Sequence, residues 1–203
     1  MALINDKTKE LQLKIVYYGP ALCGKTTNLI KVHENVETAQ QKGKMTSLNT
    51  GASDRTLFFD FLPLEATSIY GYKTKFALYT VPGQVIYNTT RQLVLKGVDG
   101  LVFVADSQYE KMQENVESFQ NMEDNLKSMS LKITNVPYVL QYNKRDLPNS
   151  APVEYMEFLL NNREVQVPSF EASAYACEGV FETLNMITKL LINKNFKQEN
   201  KAS

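Results

Sequence analysis

The stretch GPALCGKTT, residues 19–27, sets a lysine between a glycine and a hydroxyl directly behind the apolar run at 13–18. Two glycines bracketing four residues ahead of Lys-Thr fit the phosphate-binding loop pattern. A loop wrapped around phosphate oxygens needs inward-pointing N–H groups, and glycine permits both the dihedral angles and the close approach. A helix beginning here turns its unsatisfied N–H groups and its dipole on the same anion. Lys25 supplies a mobile positive charge to the outer phosphates, and Thr26 can ligate magnesium. The candidate ligand residues of the loop are Gly19, Ala21, Leu22, Cys23, Gly24, Lys25, Thr26 and Thr27. A strand-to-helix turn with a chance lysine is the plain alternative, and the placement between an apolar strand and a helix argues against it. Cys23 reads as a small apolar residue packed beneath the loop, since nothing in the sequence sets a base beside it.

A phosphate loop does not choose between ATP and GTP. At the end of a predicted central strand stands Asn143-Lys144-Arg145-Asp146. A carboxylate only accepts hydrogen bonds, so Asp146 can take two side by side from guanine N1–H and the exocyclic amine, a pair that adenine lacks. The Lys144 stem can lie over the base, and the Asn143 amide can tie this loop to the phosphate loop. Farther on comes Glu171-Ala172-Ser173-Ala174. Three motifs in this order, each at the carboxyl end of a strand, resemble the Ras-like small GTPases. In that family the backbone N–H at the Ala174 position meets the guanine carbonyl oxygen, with Ser173 beside it. A kinase using ATP is the reading that Asn143 to Asp146 speaks against.

The resemblance narrows on three runs: KIVYYGP at 14–20, RTLFFDFLP at 55–63 and YTVPGQV at 79–85. They resemble the bacterial gliding-motility GTPases, the MglA family, and the likeness extends from about Leu11 to Leu191. It implies a cytoplasmic switch, cycling between GTP and GDP with Mg²⁺, that marks a cell pole and controls polarity or motility. It also implies a dimeric roadblock-domain protein as GTPase-activating partner, and polarity or motility effectors.

Most Ras-like proteins carry an Asp where this chain has Thr80, so the usual outer anchor for magnesium is missing; the gliding-motility family shows the same substitution. Asp60, among Phe58, Phe59 and Phe61, is a replacement, because an unpaired buried carboxylate is costly. Magnesium is one partner for it and a lysine the other. Thr56 can reach magnesium or the terminal phosphate, Gly83 can offer its N–H to that phosphate, and Gln84 can orient the attacking water. Arg55 is either a surface arginine beside Asp54 or, as the resemblance implies, an arginine finger supplied by the protein itself. The catalytic candidates are therefore Gln84 and Arg55, and the metal candidates Thr26, Thr56 and Asp60. A nucleotide-gated scaffold with little turnover is the competing reading, favoured by Thr80 and by Ala21, a position at which a side chain crowds the terminal phosphate in Ras-like proteins. With His33 as the only histidine, a triad hydrolase has poor support.

These loops need strands to carry them. Apolar runs of strand length, at 13–18, 56–62, 74–81, 100–106, 136–143 and 167–173, alternate with segments of helical period. That pattern specifies an α/β domain with a six-stranded, mostly parallel sheet and helices on both faces. The connector between the second and third runs is too short for a crossover, so one pair is antiparallel. A helix runs from Lys25 to about Gln40. Met112, Val116, Phe119, Met122, Leu126 and Met129 mark one helix face, and Val180, Leu184, Ile187 and Leu191 another. Residues 35–55 read as a functional loop. The expected organisation is one GTP-binding domain over 1–203, with a core at about 11–192 and a polar tail from 193 that frays.

With 203 residues, 43% of them hydrophobic, the chain can bury a sizeable core. Lysine plus arginine and aspartate plus glutamate both number 22, so no bulk charge asks for nucleic acid or an anionic membrane. Two cysteines are too few for a disulfide framework and fit a reducing, cytoplasmic setting. No secretory signal, spanning segment or lipidation motif is expected, hence no direct membrane anchor.

Overall fold

Strand β2 (Glu10–Tyr18) shows how the sequence builds the core. Successive side chains of a strand point to opposite faces, so Leu11, Leu13, Ile15 and Tyr17 enter one hydrophobic cluster while Val16 and Tyr18 enter the other. The computed structural model describes residues 3–36, 43–47, 60–163 and 165–197. In chain order the other strands are β1 (Leu3–Asn5), β3 (Thr46–Ser47), β4 (Asp60–Ile69), β5 (Tyr72–Thr80), β6 (Gly100–Asp106), β7 (Tyr138–Asn143) and β8 (Ser169–Glu171). The helices are α1 (Lys25–Asn35), α2 (Asn88–Leu95), α3 (Met112–Ser128), α4 (Val153–Leu160) and α5 (Val180–Lys197).

The sheet runs β3-β4-β5-β2-β6-β7-β8, with β1 paired to β2. From β5 to β8 every pairing is parallel. β4 is antiparallel to β5, as the short connector requires, and the two join through the two-residue turn Tyr70-Gly71. Helices cover both faces. Leu29 and Val32 of α1 pack with Val180, Leu184, Ile187 and Leu191 of α5 in one cluster, and Leu95, Phe119, Met122 and Met156 of the other three helices lie in the second.

All six expected strands have a counterpart, and the sheet gains two more, β1 and β3. At three and two residues these are too short to show periodicity; only antiparallel pairing to a neighbour defines them. β4 lies farther along than expected, because its pairing with β5 continues past Leu62 to Ile69. Residues 56–59 lie outside the described residues. β7 begins at Tyr138, after Pro137, which has no N–H to give a ladder.

The face of α3 keeps the expected stripe at Met112, Phe119, Met122 and Leu126, with Met129 packed against it, but loses Val116 and gains polar members. Val116 is exposed, whereas Asn115, Ser118 and Asn125 are buried. Asn115 is drawn inward by two bonds to the Asp106 backbone, accepting its N–H at 2.9 Å and donating to its carbonyl at 2.8 Å. The fraying expected from residue 193 is also corrected: α5 stays helical to Lys197, and Phe196 packs its ring 4.9 Å from Tyr70 and 5.5 Å from Tyr72. That one aromatic side chain gives an otherwise polar segment something to hold.

Candidate functional site

The ends of the parallel strands collect the candidate residues. Residues 19–24 follow β2, residues 81–84 follow β5, and Lys144 and Ser173 follow β7 and β8. In an open α/β sheet this carboxyl edge is where ligands bind. Gly24 closes the phosphate loop as the residue before α1, with φ of 102°. A Cβ there would stand 2.2 Å from Asn143 Nδ2, so both conformation and space demand glycine.

Lys25 is buried, and its ammonium donates to the carbonyls of Gly19 at 3.0 Å and Pro20 at 2.5 Å. Burial pushes its pKa down, and the charge of Arg91 contributes in the same direction, against Cys23 and Asp60, which hold it up. The Cys23 thiol is fully buried and its pKa is pushed up, chiefly by that burial. It is a packing group, as its surroundings in the sequence imply.

Thr26, Asp60 and Thr80 meet at one carboxylate. The Thr26 hydroxyl donates to Asp60 Oδ2 at 2.5 Å and the Thr80 hydroxyl donates to the same oxygen at 3.0 Å. Thr80 Oγ1 also accepts the Asp60 backbone N–H at 2.8 Å. The residue that replaces the family's usual Asp thus fixes a carboxylate from the adjacent strand. With Lys25, Thr27 and Gly83 these groups line a cavity of about 490 Å³. The described hydrogen bonds to Asp60 come from hydroxyls, neither of the two partners expected for it, magnesium and a lysine. Carboxylate and hydroxyl oxygens are the hard donors that suit Mg²⁺, which is held through one or two carboxylates and the ligand's phosphates.

Gly83 rests on the phosphate loop: a Cβ there would lie 2.3 Å from Ala21 Cα and 2.6 Å from Ala21 N. Gln84 is exposed and leads into the short turn Val85–Tyr87. With Pro20, Ala21 and Arg91 these two residues line a second cavity, of about 370 Å³.

Asn143 joins three loops. Its Nδ2 donates to the Cys23 carbonyl at 2.7 Å and its Oδ1 accepts the Ala174 N–H at 2.8 Å. The tie to the phosphate loop is the one expected of it. The Ala174 N–H, expected to meet guanine, is here directed at Asn143. Ser173 is buried and its hydroxyl accepts the Ala176 N–H at 3.2 Å. Lys144 has φ of 68°, and its ammonium pairs with Asp106 Oδ2 at 2.6 Å. Arg145 fastens the turn to β8, its N–H donating to the Ala172 carbonyl at 3.0 Å and its Nε to Glu171 at 2.9 Å. Asp146 is exposed. Arg55 and Thr56 lie outside the described residues.

Sequence reasoning missed Asp106 and Arg91. A visible signal existed for Asp106, an acid ending the six-residue apolar run that starts at Gly100. For Arg91, a lone arginine within a short helix, none existed.

Residues 14–193 match the model of the Ras family. Over 194 residues the chain is 53% identical to "Mutual gliding-motility protein MglA" of Myxococcus xanthus (strain DK1622), covering 96% of this chain and 97% of that protein.

Proposed function

The chain belongs to the Ras family and is a GTPase, and from that premise we propose that it is a polarity or motility switch set by guanine nucleotide and Mg²⁺. The observation carrying this reading is Asn143, whose amide binds the phosphate loop and the Ala174 loop at once. A ligand filling both must present a base and a phosphate chain together. In this reading the loop N–H groups of residues 19–27 and the Lys25 ammonium take the phosphates. Asp146 takes the guanine donors, Lys144 covers the base, and Ala174 shares its N–H between Asn143 and the guanine oxygen. Thr26 and Asp60 hold the metal, with Thr56 joining them when the first switch closes. Mg²⁺ bound there neutralises charge on the outer phosphates. Gly83 offers its N–H to the terminal phosphate, and Gln84 orients water.

Hydrolysis is slow alone and faster with a dimeric roadblock-domain activator. The setting is cytoplasmic, with recruitment to a cell pole through partners. No described helix is long and apolar enough to cross a membrane. A second reading, a GTP-gated scaffold with little turnover, draws on Gly83 lying against Ala21. Titration with GTP, GDP and ATP, followed by single-turnover hydrolysis with and without a roadblock-domain protein, separates them. Tight GTP binding with stimulated turnover is expected; binding without stimulation would leave the scaffold, and preference for ATP would overturn both.

Asp60→Ala is expected to make nucleotide release nearly insensitive to magnesium chelation, where the wild type releases faster in chelator. Thr80→Ala should do so less, since Thr26 still holds the carboxylate. Fluorescent-GDP release measures both. Equal magnesium dependence in wild type and Asp60→Ala, with only a lower melting temperature, would assign Asp60 a structural task.

A further inference from the structure

Arg91 is among the largest fully buried side chains, and its guanidinium makes no ion pair with the described residues. Its hydrogen bonds go to neutral oxygens: Nε to the Pro82 carbonyl at 2.8 Å, Nη2 to the Gly83 carbonyl at 2.6 Å, and Nη1 to Asn121 Oδ1 at 2.5 Å. It also stacks over the Tyr18 ring at 5.2 Å. Burying a cation among neutral acceptors is expensive unless each bond is made well, so this arrangement concentrates strong, directional contacts on two successive peptides of one loop.

The geometry of a peptide carries the consequence. Each peptide is planar and trans, so its C=O and N–H point in opposite directions. The Pro82 carbonyl and the Gly83 N–H share one plane; holding the carbonyl towards Arg91 turns the N–H away from it. Gly83 also lines the phosphate cavity. The second arm of the fork does the same for the Gly83 carbonyl and the Gln84 N–H. A planar guanidinium with fixed donor spacing can set both peptides at once, which an ammonium cannot.

The far side of Arg91 is anchored as firmly. Asn121 Oδ1, on α3, accepts from Arg91, from the Tyr18 hydroxyl at 2.6 Å and from Asn125 Nδ2 at 3.2 Å. The Asn121 amide and Asn125 Nδ2 then converge on Asn88 Oδ1 at 3.0 and 2.8 Å. The loop bearing Gly83 is thereby tied to the body of α3 and to the start of α2.

We propose that Arg91 is a positioning residue that aims the Gly83 N–H at the terminal phosphate, and that Asn121 holds it in that task. The proposal rests on the reading of Gly83 as the group that senses that phosphate. It predicts that the arginine matters for GTP and not for GDP, because only GTP has the phosphate in question. A plain packing role would weaken both nucleotides alike or lower the melting temperature alone.

The test compares affinities for a non-hydrolysable GTP analogue and for GDP, with melting temperatures, in wild type, Arg91→Lys, Asn121→Ala and Gly83→Ala. Arg91→Lys keeps the charge and loses the fork. Its preference for the GTP analogue over GDP should fall at least tenfold, with GDP affinity within twofold of wild type. Asn121→Ala should give a smaller loss in the same direction and covers the case in which Arg91→Lys does not fold. Gly83→Ala reads the premise separately. Loss of preference in Gly83→Ala with full preference in Arg91→Lys and Asn121→Ala would overturn the role of Arg91 while leaving Gly83 its own. Unchanged preference in Gly83→Ala would overturn the premise, and the proposal with it.

Discussion

Arg55→Ala is expected to keep GTP binding and to lower partner-stimulated hydrolysis by about 10³ to 10⁵, the contribution of an arginine finger to phosphoryl transfer. The transferred group spreads negative charge over its oxygens in the transition state. A guanidinium meets that charge with a planar fork that never deprotonates, so arginine suits the task better than lysine. Arg55 directly precedes Thr56, and closing the first switch over magnesium would carry both to the terminal phosphate. In the proposed reading an activating partner would act by closing the switch, without inserting an arginine of its own. Gln84→Leu should show the same loss if, as proposed, this exposed amide beside the Ala21–Gly83 contact orients the attacking water. Single-turnover rates with the partner in excess measure both effects. Stimulated rates for Arg55→Ala within twofold of wild type would leave this arginine a surface residue paired with Asp54.

Asp146→Asn is expected to exchange one base for another. In the proposed reading the carboxylate accepts from two guanine donors, and each hydrogen bond to a charged group is worth about 1.5–3 kcal/mol. The variant can keep at most one of them, so GTP affinity should fall by at least about tenfold to 10². Asparagine presents one acceptor and one donor, which matches xanthine, whose exocyclic group is a carbonyl oxygen. The variant should therefore gain affinity for xanthosine triphosphate as it loses GTP. The surrounding loop is built to keep its shape through the change, since Arg145 binds β8 and the Ala151 carbonyl without using Asp146. Competition titration of the two triphosphates decides it; unchanged preference would rule out Asp146 as the reader of the base.

What could be read in the sequence was whatever depends on neighbours in the chain. β6 needed no context: its seven residues are all buried, and the apolar run has the same bounds. The phosphate loop and the Asn143 turn were legible because their chemistry lies within a few consecutive residues. Asp60 was legible as a buried acid in need of a partner, but its partners were not: Thr26 and Thr80 come from α1 and β5, and only the sheet register brings them to one oxygen. The Arg91 network was illegible for the same reason in stronger form. Its parts sit on β2, α2, α3 and the loop between β5 and α2, and each side chain alone reads as an ordinary polar residue on a helix or strand. Buried polar networks are non-local, and hydrophobic periodicity carries no trace of them. They also blur the periodicity itself, adding Asn115 and Asn125 to the buried face of α3 while Val116 stays exposed.

The ends of the sheet have a bearing on how other proteins can meet it. The described strands at its two edges are β3, of two residues, and β8, of three. An edge strand exposes unpaired N–H and C=O groups that template the addition of another strand, and short edges are one way in which proteins blunt that hazard. At the β8 edge a foreign strand would have little ladder to build on, whereas β3 pairs only Asp60 and Phe61 of the ten-residue β4 at the other. Recognition at the β8 edge is then left to side chains on helices and loops, where shape and charge select the partner, and edge-to-edge self-association there is disfavoured.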